Sequence, residues 1–234
     1  MNKIAVVTGG TKGIGKALVD LFSEYGFDIA VCSRNSEQLN ILKKEIEQKY
    51  DNRVYVMKTD MAEQKEVLRF AEYIGEQDGE VEILVNNAGI FIPGQIHTEE
   101  DGVLEMTINT NLYSAYHMTR ALIHGMKKRK SGHIFNICST ASFVPYVNGG
   151  SYCISKFAML GMSKVLREEM KEHGVRVTSV MPGATLTASW EGVDLPEDRF
   201  MRPEDVAAAI WNAYKMSDRT VIEEIVMRPQ LGDI

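Results

Sequence analysis

The stretch KIAVVTGGTKGIG, Lys3 to Gly15, decides the fold: an apolar, β-branched run ends in a glycine-rich turn, and an amphipathic helical pattern begins at Ile14. A short apolar run stopped by glycine reads as a buried strand. In open α/β sheets ligands bind beyond the carboxyl ends of the strands. A glycine-rich turn there lets backbone amides approach a pyrophosphate at a helix N-terminus. Gly9, Gly13 and Gly15 stand in TGxxxGxG spacing, one residue wider than the usual dinucleotide fingerprint. The candidate phosphate cradle is Gly9, Thr11, Lys12, Gly13, Ile14 and Gly15. Glycine also ends strands for steric reasons alone, so the rest of the chain has to carry the reading.

Strand and helix alternate to the C-terminus. Lys3 to Thr8, Asp28 to Ser33, Arg53 to Thr59, Val81 to Asn86, His133 to Cys138, Val175 to Met181 and Thr220 to Met227 read as seven strands. Ile14 to Tyr25, Ser36 to Tyr50, Gln64 to Gly75, Leu112 to Arg129, Ser151 to Glu172 and Pro203 to Lys215 read as helices, the last opened by proline. The strands are continuous apolar runs, which suits a parallel sheet covered on both faces. The predicted class is α/β, a doubly wound and mainly parallel seven-stranded sheet with helices on both faces. No repeat, low-complexity tract or linker divides residues 1 to 234, so they are read as one domain. Gly183 to Arg202, with Trp190 and Phe200, is irregular and long enough to be a substrate lid.

Bulk properties narrow the function. The 234 residues are 44% hydrophobic and 25% charged, and a net charge of −6 argues against diffuse attraction to nucleic acid or an anionic membrane. The basic run Met126 to Lys130 suits a helix C-terminus. Cys32, Cys138 and Cys153 have no CxxC spacing and read as reduced, packed thiols. The five histidines have no metal-ligand spacing, so no metal is expected. Without a signal-peptide pattern or a span-length apolar run, the expectation is a cytoplasmic protein.

The end of the second strand bears on which nucleotide would bind. Where an NAD-binding domain places an acidic residue on the adenosine ribose, this chain has Ser33 followed by Arg34, and Lys12 lies in the glycine-rich turn. Two cations without a carboxylate favour a 2′-phosphate, hence NADP(H).

Taken in order, TGGTKGIG, NNAG (Asn86 to Gly89), Ser139 in ICSTAS, YCISK (Tyr152 to Lys156) and MPGATLT (Met181 to Thr187) resemble the short-chain dehydrogenase/reductase family, with 13 residues from Ser139 to Tyr152. The resemblance spans most of the chain and implies a Rossmann-type domain. It implies that Asp60, with Met61 beside it, holds the adenine ring, and that Asn87, Ala88 and Gly89 line the cofactor. It places Pro182, Gly183 and Thr187 beside the nicotinamide, and a proton-relay water at Asn111. Relatives pair through their long central helices and last strand, which implies a homodimer or homotetramer.

An isolated YxxxK is a packed tyrosine beside a snorkelling lysine. In this setting Tyr152 reads as the proton donor to a small-molecule carbonyl substrate and Ser139 as a hydrogen-bond donor to its oxygen. Positions i and i+4 share a helix face, so Lys156 is expected to lower the phenol pKa from about 10. By resemblance Lys156 also grips the nicotinamide ribose. Within the family, Arg219 to Ile234 together with SYCISKF and PGATLTASW is similar to bacterial sepiapterin reductases, which reduce a side-chain ketone on a pteridine, and Trp190 can stack on such a ring. Other readings are a 3-oxoacyl-[acyl-carrier-protein] reductase, a general carbonyl reductase, and a catalytically silent NADP-binding module.

Overall fold

A computed structural model describes residues 2–190, 192 and 194–234, with Ser189 described by its backbone alone. Seven strands form one sheet: β1 Lys3–Thr8, β2 Asp28–Ser33, β3 Val54–Lys58, β4 Glu80–Asn86, β5 His133–Ile137, β6 Arg176–Pro182 and β7 Glu224–Met227. Their order is β3-β2-β1-β4-β5-β6-β7 and every neighbouring pair is parallel. The sheet is therefore wholly, not mainly, parallel.

The apolar runs follow from burial on both faces. In β1, Ala5 and Val7 point into one core and Ile4 and Val6 into the other. Helices α1 (Gly13–Glu24), α2 (Ser36–Lys49) and α7 (Pro203–Tyr214) cover the first face with Leu18, Phe22, Leu39, Ile46, Ile210 and Trp211. Helices α3 (Gln64–Gly75), α5 (Ser114–Arg129) and α6 (Gly150–Met170) cover the second with Val67, Phe70, Met118, Leu122 and Met170. The chain winds outward from β1 to β3 and then returns to β4 on the other side of β1. That reversal opens a crevice at the carboxyl ends of β1 and β4, where such sheets bind ligands.

Two elements differ from the sequence reading. The helix expected from Leu112 starts at Ser114, preceded by the short helix α4 (Val103–Ile108) and a five-residue π-turn, Asn109–Tyr113. The last strand is shorter than Thr220 to Met227, because pairing with β6 begins at Ser179 and Glu224. Before that point the Thr178 hydroxyl, rather than a ladder N–H, meets the Ile222 carbonyl at 2.6 Å.

Behind the crevice a buried polar ladder ties three strands to two helices. Asn86 donates to Thr119 Oγ1 at 3.0 Å and to Asn136 Oδ1 at 2.8 Å. Asn136 in turn donates to Ser163 Oγ at 2.9 Å, and Ser179 Oγ donates to the same oxygen at 2.8 Å. Among the described residues no helix is long and apolar enough to cross a membrane.

Candidate active site

The glycine-rich turn and the NNAG turn are stitched together. Asn87 Nδ2 donates to the carbonyls of Thr8 and Gly9 at 2.9 and 3.1 Å, and Thr8 Oγ1 accepts the N–H groups of Asn87 and Ala88, each at 3.0 Å. Gly9 (φ +67°) and Gly13 (φ +53°) adopt the left-handed region that favours glycine. A Cβ on Gly15 would stand 2.5 Å from the Gly9 carbonyl, so Gly15 lets the helix approach the turn from behind. Lys12 caps α1 in extended conformation without a side-chain bond, and the first turn carries no acidic residue. The N-terminal N–H groups of α1 therefore remain available.

A cavity of about 1240 Å³ runs from this cradle to the carboxyl end of β5. Gly9, Thr11, Lys12, Gly13 and Ile14 line its phosphate end. Ser33, Arg34, Asp60 and Met61 line the wall beyond β2 and β3, and Asn87, Ala88 and Gly89 the middle. Thr11 Oγ1 lies 3.3 Å from Ser33 Oγ and 3.4 Å from Gln38 Oε1. The Asp60 carboxylate accepts the Ala62 N–H at 3.0 Å. Among the described residues neither Lys12 nor Arg34 is paired with a carboxylate. Available N–H donors, a turn kept open by Gly9, Gly13 and Gly15, and two cations fit a phosphorylated dinucleotide.

Ser139, Tyr152 and Lys156 line the other end; Pro182, Gly183 and Thr187 line the same cavity, and Thr187 reaches back to the cradle, where a Cβ on Gly13 would stand 2.8 Å from its Cγ2. Ser139 is the N-cap of a one-turn 3₁₀ helix, Thr140–Ser142: its Oγ accepts the Ala141 N–H at 3.1 Å while its N–H donates to Ser142 Oγ at 3.2 Å. That leaves the Ser139 proton free to point into the cavity. Lys156 is 5% exposed and donates to the Ile137 carbonyl at 2.9 Å, leaving two ammonium donors without a protein acceptor among the described residues. Its Nζ lies 5.7 Å from the centroid of the Tyr152 ring.

This geometry corrects the expected tuning of the phenol. Burial pushes the Tyr152 pKa up, and the group that pulls it back is the hydroxyl of Ser139, not the ammonium of Lys156. Burial also lowers the Lys156 pKa, with the Cys138 thiol acting against it. Cys138, buried beside that ammonium, is pushed up to about 11 by desolvation. Cys153 is buried, as packing alone requires.

Asn111 lies in the π-turn and is fully buried, but outside the cavity wall. Its amide nitrogen donates to the Ile90 carbonyl at 3.0 Å and to Ser155 Oγ at 2.9 Å, and its Oδ1 accepts the Ile90 N–H at 2.8 Å. Both side-chain N–H groups are thereby engaged. Gly89 sits between Asn111 and Lys156: a Cβ there would be 3.2 Å from Asn111 Oδ1 and 3.6 Å from Lys156 Nζ.

Several cavity residues had no signal in a motif. Phe91 meets Tyr152 edge-on with ring centroids 4.9 Å apart, and Tyr146 lines the same end. Asp233 and Ile234 reach the cavity because the chain folds back past β7, where Arg228 pairs with Asp233 and stacks over Phe143. Gln38, whose N–H donates to Asn35 Oδ1 at 3.0 Å, also lines the cavity. The segment read as a lid is pinned at its base by bonds from Leu186 N to Met201 O and from Met201 N to Ala184 O. Within it Trp190 packs on Phe200 with centroids 5.1 Å apart and lines the cavity, while Glu191 and Val193 lie outside the described residues.

Residues 3–197 match the family model described as short chain dehydrogenase. The chain is 35% identical to a protein of Chlorobaculum tepidum named sepiapterin reductase, over 100% of this chain and 99% of that one. It is similar to a solved metagenomic short-chain oxidoreductase in complex with NADP (29% identity, TM-score 0.85, 97% of each chain). It is also similar to L-sorbose reductase from Gluconobacter frateurii complexed with NADPH and L-sorbose (25% identity, TM-score 0.90, 97% of this chain and 95% of that one).

Proposed function

The chain belongs to the short-chain dehydrogenase family, and from that premise we propose that it is an NADPH-dependent oxidoreductase that reduces a ketone to an alcohol, its substrate a pteridine side-chain ketone. The observation that carries the reading is one cavity joining the glycine cradle to Ser139, Tyr152 and Lys156. NADP(H) suits that cradle: the α1 amides would hold its pyrophosphate, Lys12 and Arg34 its 2′-phosphate, and Asp60 and Met61 its adenine. When bound, the cofactor supplies the hydride.

The remaining work falls to this chain's residues. Tyr152 gives its phenolic proton to the carbonyl oxygen as charge develops there, and Ser139 hydrogen-bonds the same oxygen. The two free donors of Lys156 would hold the cofactor's ribose hydroxyls. The relay-water role falls to Asn111 by the family resemblance alone, since its side-chain groups are engaged by Ile90 and Ser155.

A flat heterocycle is supported by Trp190, Phe91 and Tyr146 around the substrate end, and its ring N–H donors by the Asp233 carboxylate. The Chlorobaculum tepidum relative supports the same substrate class. We place the chain in the cytoplasm as a single domain that works as a homodimer or homotetramer. The outer faces of α5 and α6 support that pairing, since they expose Tyr116, Ile154, Phe157 and Val165.

The test is NADPH oxidation by purified protein with sepiapterin, simple diketones and a 3-oxoacyl thioester, repeated with NADH. Sepiapterin should turn over fastest, with NADPH preferred by at least about tenfold. Preference for the thioester would replace the substrate with an acyl chain. No turnover with tight NADPH binding would replace the enzyme with a binding module.

A further inference from the structure

Helix α6, which carries Tyr152 and Lys156, starts without a capping side chain of its own, since Gly149 is its N-cap and Gly150 its first residue. The first-turn N–H groups of a helix need outside acceptors, usually supplied by Ser, Thr, Asp or Asn at the N-cap. Here the acceptor comes from 52 residues earlier in the chain: Glu99 Oε1 takes the Ser151 N–H at 2.8 Å, and Glu99 Oε2 takes the Ser151 hydroxyl. A carboxylate in that place also opposes the positive end of the helix dipole.

The contact is built on both sides. A Cβ on Gly150 would overlap Glu99 Oε1, and one on Gly94 would stand 2.7 Å from Glu99 Cγ. Gly94 donates its N–H to the Asn148 carbonyl at 3.0 Å, and Gln95 Nε2 donates to Asn148 Oδ1 at 2.9 Å. The loop after β4 is thus docked along the residues that lead into α6. At the start of that loop Phe91 rests edge-on against the Tyr152 ring.

We propose that Glu99 is a positioning residue for proton donation: by capping α6 from the loop after β4, it sets the direction in which the first turn presents Tyr152 to Ser139 and the cavity. The proposal rests on the reading of Tyr152 as the donor. A displacement of about 1 Å at a reacting group can lower a rate by about a hundredfold, so a cap on Ser151, the residue before Tyr152, matters to kcat.

The test compares Glu99→Ala with Glu99→Gln, whose amide can still accept the Ser151 N–H and donate to its hydroxyl. The alanine variant should lose about tenfold or more in kcat while its KM for NADPH stays within about twofold, and the glutamine variant should recover most of the loss. Deuterium exchange over residues 149–156, read without substrate, should be faster in the alanine variant and close to native in the glutamine variant. Should Glu99→Ala fail to fold, Ser151→Ala removes the hydroxyl half of the contact and should show the same pattern in weaker form. Native kcat in the variant read, a glutamine variant no better than alanine, or a loss confined to KM overturns the proposal. A native chain that reduces no carbonyl overturns the donor reading and this proposal together. An active native chain whose variants keep their kcat overturns this proposal alone.

Discussion

Tyr152 is kept protonated by its burial, and Ser139 moderates that effect. A phenol whose pKa lies above its ordinary value of about 10 remains a proton donor throughout the neutral range. Reduction by the native protein should therefore hold its kcat from neutral pH upward and fall only above about pH 10, where the donor form is lost. Tyr152→Phe should lower kcat by at least about a hundredfold while NADPH affinity, read by fluorescence titration, changes by less than about threefold. Activity above a few percent in that variant would remove Tyr152 from the donor role. The pairing of Tyr152 with Lys156 was legible from the YxxxK spacing, but its electrostatics were not. Helical spacing says which side chains share a face, whereas the ammonium's actual direction, toward the Ile137 carbonyl, depends on where β5 passes.

At the scale of elements, the seven strands and six longer helices were legible because burial on both faces forces continuous apolar runs, and glycine or proline marks their ends. The π-turn at Asn109–Tyr113 was not legible. Its residues have ordinary helical propensity, and the bonds that fit it in place run to Ile90 and Ser155, far off in sequence. The ladder Asn86–Asn136–Ser163–Ser179 was equally hidden, since each member looks locally like a polar interruption in an apolar element. Asn136 is fully buried and bonded on both its oxygen and its nitrogen, so Asn136→Ala leaves Asn86 and Ser163 each short of a partner. A loss of about 2–4 kcal/mol in unfolding free energy is expected, measured by urea denaturation. A variant within about 0.5 kcal/mol of native would show that the ladder contributes little to holding α6 against the sheet.

Over the whole molecule, the two ends of the sheet serve different purposes, with the cavity at the carboxyl end and stability groups at the amino end. His133 opens β5, is fully buried, and stacks on Phe135 with ring centroids 3.9 Å apart. The Thr178 hydroxyl donates to Ile222, so His133 Nε2, 2.7 Å from Thr178 Oγ1, is the donor of that pair and Nδ1 has no partner among the described residues. Burial, and secondarily Arg176 on β6, hold its pKa well below the usual histidine value, with the Tyr214 ring of α7 packed nearby. Below about pH 6.5 the unfolded chain takes up a proton that the folded chain refuses, so stability is level above that pH and falls as pH drops below it toward the folded pKa. His133→Gln should flatten the fall between about pH 6.5 and 5, read as urea midpoints, and an unchanged slope would assign it to other groups. The sequence by itself determined the order of elements, the glycine cradle at the end of β1 and the candidate group Ser139, Tyr152 and Lys156. Those follow from local periodicity, from glycine's freedom and from spacing along a helix. Only the tertiary structure decided that Glu99 caps α6, that Asp233 reaches the cavity, and that burial rather than Lys156 sets the Tyr152 pKa. Each of these depends on distances between distant segments and on exclusion of water, which a local pattern does not encode.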